Sequence, residues 1–263
     1  MSNTIYRFIE KKKPKVIITD NNDNLLLNVI DMVCLNGDGY NHDGVESFAD
    51  NNGTVFEKEM EGCLDHFKFD KIQVTETEKN TANKIDEINM TTTELINVFR
   101  NPTEIGLWDD LLLRCQTAFG DRSIYIPQPL GNNKEPDFLV YYNWRLFYFE
   151  NKKMNQSNKP HYGDNGCHPY VIYMMKRCKG TKAQGGGVQH TYYYGGDLIT
   201  PLQYEDGMRE RDEAKKGIKE LLKKYPSVNS SARLGCNENV ETVLGHENQT
   251  TFENNVREYI IKD

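Results

Sequence analysis

The chain predicts an α/β protein with a central mixed β-sheet flanked by helices, and three stretches carry that prediction. Phe138–Tyr142 and Arg145–Phe149 are short, aromatic-rich runs with Asn143-Trp144 between them as a two-residue turn. Phe138, Val140, Tyr142, Phe147 and Phe149 fall on one side of this hairpin; Leu139, Tyr141, Leu146 and Tyr148 fall on the other. Strands apolar on both faces belong inside a sheet covered by helices. Two amphipathic segments, one opening at Asn101 and one over 205–224, are candidate covers.

Taken in order, Lys11–Lys15 is a basic run leading into a strand at Val16-Ile17-Ile18. Asn24–Leu35 is apolar and suits strand or helix, and 36–53, dominated by Asn, Asp and Gly, reads as a loop. Glu57–Lys71 mixes charge with apolar residues and leaves its state open. Thr91–Phe99 looks helical. The next helix takes Asn101 as N-cap, Pro102 at its first position and Glu104 in its first turn. Ile105, Trp108, Leu112, Cys115 and Phe119 form its apolar face, and Gly120 closes it.

Beyond that helix, Ser123–Ile126 is a short strand, and a loop leads to the hairpin. Tyr170–Met175 opens as strand or helix, the glycines of 180–187 mark a loop, and Gln189–Tyr194 alternates as a strand. Glu205–Lys224 is a charged helix with Ala214, Ile218, Leu221 and Leu222 inward, stopped at Tyr225-Pro226. Glu253–Ile261 suggests a last helix.

The hairpin register has a chemical consequence. With the turn at Asn143-Trp144, Asp137 lies opposite Glu150, and opposed residues share one face with Cβ atoms about 4.5–5.5 Å apart. Lys152, two residues on, projects from that face too. Two carboxylates and an ammonium then meet at the hairpin's end, a place to hold a divalent cation.

Pro136-Asp137 followed by Glu150-Asn151-Lys152 resembles the PD-(D/E)XK nuclease superfamily, which includes most type II restriction endonucleases. The likeness runs from the helix near residue 102 to Lys152. It implies a restriction-endonuclease-like core at about 95–225 within a single nuclease domain spanning 1–263, with additional N- and C-terminal elements. It also implies Mg²⁺ held by Asp137, Glu150 and the backbone carbonyl of Asn151, with Asp137, Glu150 and Lys152 as the catalytic set. Lys152 would orient the attacking water and stabilise charge, because carboxylate neighbours keep an ammonium protonated. Glu104 is read as a helix cap, with the glutamate that many relatives carry on the preceding helix as its alternative role.

Composition is compatible with these expectations. No apolar run approaches the roughly 20 residues needed to span a membrane, and residues 1–10 lack a signal-peptide core. Six cysteines without CxxC spacing suit the reduced thiols of a cytoplasmic protein, and Cys167, His168, Cys178 and His190 match no zinc pattern. The net charge is −7, yet bases dominate from Lys134 to Lys182. A local positive field attracts phosphate even on an acidic protein. The candidate double-stranded DNA contacts are Lys153, Lys159, Lys176, Arg177, Lys182, Gln184 and Gln189, with Lys176 and Arg177 assigned to phosphates.

The expectation is therefore a Mg²⁺-dependent, site-specific endodeoxyribonuclease leaving 5′-phosphates. It would act as a homodimer on two-fold DNA sites, beside a cognate DNA methyltransferase encoded nearby. A nuclease of the same fold in repair, recombination or mobile-element defence is the alternative, and a non-catalytic DNA-binding module is a third reading.

Overall fold

The computed structural model describes residues 24–36, 53–75, 83–131, 134–154, 166–178, 188–224 and 249–261. The basic run and strand expected at 11–18 lie outside them. Helices α1 (Leu25–Asn36) and α2 (Gly53–His66) lead into β1 (Asp70–Lys71), and the small hairpin of β2 (Lys84–Ile85) and β3 (Met90–Thr91) leads into α3 (Thr92–Arg100) and α4 (Ile105–Phe119). Strands β4 (Ile124–Pro127), β5 (Phe138–Tyr142), β6 (Arg145–Met154), β7 (Val171–Cys178) and β8 (Val188–Tyr194) follow, then α5 (Pro201–Lys224) and α6 (Gln249–Ile261).

The main sheet has six strands in the order β1-β4-β5-β6-β7-β8. It is mixed: β1 with β4 and β6 with β7 run parallel, and the other pairs are antiparallel. The central hairpin is apolar on both faces, and each face has its own core. Leu139, Tyr141 and Tyr148 pack with Leu95, Val98 and Phe99 of α3 and Leu111, Cys115 and Phe119 of α4. Phe138, Val140, Phe147 and Phe149 pack with Leu26 and Ile30 of α1, Phe56 and Met60 of α2 and Val256 of α6. The alternation read from the sequence thus gives the observed division, and the described residues of α1 and α2 pack into the second of these cores.

Three helix readings are corrected. The cap signal at Asn101-Pro102 ends one helix instead of starting the next: Asn101 caps α3, donating its backbone N–H to Val98 O and its side-chain amide to Asn97 O. Glu104 then precedes α4 without a side-chain capping bond and is exposed. The capping box lies ten residues earlier, where Thr91 and Glu94 bond each other's backbone N–H groups.

The inward row of α4 is Leu111, Cys115 and Phe119, while Ile105 is 70% exposed. The far half of α5 leaves the body: Tyr204 and Arg211 are buried, but Ala214 and Leu221 face solvent and Ile218 is only half-covered. No helix among the described residues is long and apolar enough to cross a membrane.

Candidate functional site

The turn of the β5–β6 hairpin fixes everything beyond it. Asn143 and Trp144 both have positive φ, 50° and 62°, the backbone of a type I′ turn, which suits the twist of the flanking strands. Phe138 therefore pairs with Phe149 and Tyr142 with Arg145, which puts Asp137 and Glu150 at the next position along the ladder.

Both acids are nearly sealed, at 7% and 5% exposure. Asp137 accepts from the Asn151 backbone N–H at 2.8 Å and from the Gln128 amide at 3.0 Å. These two neutral donors fix the orientation of its carboxylate. Lys152 donates to Glu150 Oε1 at 2.6 Å and also bonds Glu135 Oε1. Glu57, from α2, accepts from the same Gln128 amide at 3.4 Å. Asp137, Glu150 and Lys152 thus meet, and Asn151 lies between the last two with its N–H already given to Asp137.

Three participants were missed in the sequence: Glu135, Gln128 and Glu57. Glu135 had no strand-period signal, since it lies in a bend ahead of β5, which begins at Phe138. Gln128 and Glu57 had none either, because they arrive from a loop strand end and from a helix distant in sequence.

The electrostatics are those of crowded acids. Burial pushes the Glu135 carboxyl up to about 7, although Lys152 pulls it back, and burial also raises Asp137. Glu150 lies well above the usual carboxylate range, first through burial and then through the negative fields of Glu135 and Asp137. Burial works against the Lys152 ammonium, but Glu150 and Glu135 outweigh it and hold the group above its ordinary value. Glu57 is raised by burial and by Asp137.

The donor set is oxygen-only, and one buried oxygen on each of Glu135 and Glu150 has no hydrogen-bond partner among the described residues. Hard divalent cations such as Mg²⁺ are bound by such oxygens, through one or two carboxylates plus water and substrate. The donor atoms are of the kind such a cation takes. Among the described residues no three His, Cys, Asp or Glu side chains converge as a ready-made cation cage. The cause is visible: Lys152 occupies the space between Glu135 and Glu150, and Asp137 is turned to its two neutral donors.

The expected DNA contacts divide. Arg177 on β7 pairs with Met154 on β6 and with Gln189 on β8, whereas Lys153 on β6 pairs with Lys176 and so belongs to the alternate row. Lys159, Lys182 and Gln184 lie outside the described residues. Lys176 is corrected: it is 3% exposed, bonds both Glu59 oxygens at 2.8 and 2.9 Å and sits 5.4 Å from the Phe56 ring centre. Its charge serves a buried acid, so it is not offered to phosphate.

His190 faces Lys176 across β8 and is held neutral, its pKa lowered to about 3 by burial and by that ammonium. His168 is likewise structural, bonded to Phe99 O and Tyr170 N–H inside a cage of rings. Comparison of the chain with family models, with curated proteins and with solved structures finds no match.

Proposed function

We propose that the chain is a Mg²⁺-dependent endonuclease that hydrolyses phosphodiester bonds of double-stranded DNA at specific sites and leaves 5′-phosphates. The observation that carries this reading is the convergence of Asp137, Glu150 and Lys152 at the end of a hairpin in the middle of a mixed sheet. The order of helix α4, strand β4 and hairpin β5–β6 is also that of the PD-(D/E)XK core which the motif resembles.

Asp137, Glu150 and the Asn151 carbonyl would hold the cation. Bound there, Mg²⁺ supplies neutralisation of phosphate charge and a more acidic water. Asp137 works from an orientation locked by Gln128 and the Asn151 N–H. Lys152 stays protonated beside its carboxylates, so its part is to position water and offset the charge that builds on phosphorus, not to take a proton. Lys153, Arg177 and Gln189, at the site's end of β6, β7 and β8, are the candidates to hold the DNA backbone and bases. Two copies across a two-fold DNA site, with a cognate DNA methyltransferase encoded nearby, complete the reading.

The test is plasmid cleavage with Mg²⁺ against EDTA. Discrete fragments are expected; a smear or nicking at junctions points to the repair-type alternative. Asp137→Ala and Lys152→Ala should each lower the rate by a factor on the order of 10³ while DNA binding persists. Wild-type turnover in either variant sinks the assignment.

A further inference from the structure

Three carboxylates, Glu135, Asp137 and Glu150, are buried around one ammonium, and they are not equivalent. Asp137 is served by neutral donors, whereas Glu135 and Glu150 share Lys152. All three members of that bridge are deeply covered, with side-chain exposures of 13% for Lys152, 10% for Glu135 and 6% for Glu150. Glu135 and Glu150 each keep a second buried oxygen that bonds to nothing among the described residues. The bridge is therefore a shared grip, with acceptor capacity in hand on both sides.

A divalent cation on Glu150 changes the balance. The Lys152 ammonium resting on that carboxylate would face a second positive charge a few ångströms away, and like charges in a water-poor site repel strongly. Lys152 cannot withdraw to solvent without giving up its buried partners. The carboxylate it already touches on its other side is Glu135.

We propose that Glu135 is a positioning residue that takes Lys152 over from Glu150 when a divalent cation enters, coupling cation uptake to the placement of the lysine. This rests on the metal-dependent reading above, and it assigns a part to a residue outside the matched motif. Without Glu135, Lys152 has Glu150 alone and competes with the cation for it. Glu135 thus acts on cation affinity through Lys152, not as a ligand.

The experiment is Mn²⁺ binding to the full chain without DNA, followed by the loss of the free-ion electron paramagnetic resonance signal. The proteins are the wild type, Glu135→Gln, Lys152→Met and the double variant, with folding checked by circular dichroism. Glu135→Gln should weaken Mn²⁺ binding about tenfold, within the usual range of coupling between sites. Lys152→Met should tighten it, and the double variant should match Lys152→Met. Glu135→Asp, which keeps charge but shortens reach, should fall between wild type and Glu135→Gln and serves if the glutamine variant does not fold.

If the glutamine substitution weakens binding as much in the Lys152→Met background as in the wild type, Glu135 is a direct ligand and the proposal is overturned. Unchanged affinity in Glu135→Gln overturns it as well. A wild type that binds no Mn²⁺ removes both this inference and the metal-dependent reading. Coupled Mn²⁺ binding with no DNA cleavage leaves the inference standing and removes only the nuclease reading.

Discussion

His168 shows how fully single residues are committed in this fold. Its Nδ1 accepts from the Tyr170 N–H at 3.1 Å, so Nε2 carries the proton and donates to Phe99 O at 2.9 Å. Phe99, Trp108, Tyr170 and Tyr204 surround the ring. Burial lowers its pKa from 6.5 to about 4. A folded value below the unfolded one means that the stability is whole above about pH 6.5 and is lost as pH falls toward 4. The loss should be on the order of 3 kcal/mol. Urea unfolding at pH 7 and pH 4.5 should show a steeper loss in the wild type than in His168→Gln, where His190 still titrates; equal slopes in the two would refute it.

The same residue scale shows what strand periodicity reveals. Asp137, Glu150 and Lys152 were legible because a period of two and one turn place them. Lys176 was misjudged because a lysine in a basic stretch looks solvated until its buried partner arrives from another element.

At the scale of elements, α2 is held on the sheet by the Lys176–Glu59 pair, the Phe56 ring beneath the ammonium and a 3.5 Å bond from the Asn151 amide to Phe56 O. Lys176→Met would leave Glu59 buried beside a missing cation and should cost about 3–5 kcal/mol. Adding Glu59→Leu should recover most of that, as measured by urea denaturation; no recovery would mean that the pair matters for more than charge balance. The sequence left α2 ambiguous for the same reason, since a glutamate facing the core breaks the apolar stripe that marks a helix. The boundary error at Asn101-Pro102 has a different origin. Asn is favoured near both ends of helices, and here Asn101 closes α3 while Thr103 is tied away to Glu205 through its N–H and hydroxyl.

At the scale of the whole molecule, a six-stranded sheet is buried between two apolar layers, and stability is concentrated there. Leu111→Ala, fully inside the α4 layer, should cost about 2–5 kcal/mol. Leu221→Lys on the outer part of α5 should stay within about 0.5 kcal/mol, because that half of the helix has left the body. Thermal unfolding of the two variants checks the contrast, and a large loss in Leu221→Lys would show that the outer helix is part of the core. The two-layer division was legible in the doubly apolar hairpin. The outward course of α5 was not, because an amphipathic pattern says which side is apolar and not whether anything meets it.

The turn at Asn143-Trp144 lies about 20 Å along the strand from Glu150 at the usual rise per residue, yet it governs the chemistry there. One residue gained or lost in that bend would exchange the sides of every following position, sending Glu150 and Lys152 into the oily layer beneath α1 and α2 and bringing Phe149 up in their place. A surface bend with no chemistry of its own is thus the reading frame of the reactive centre.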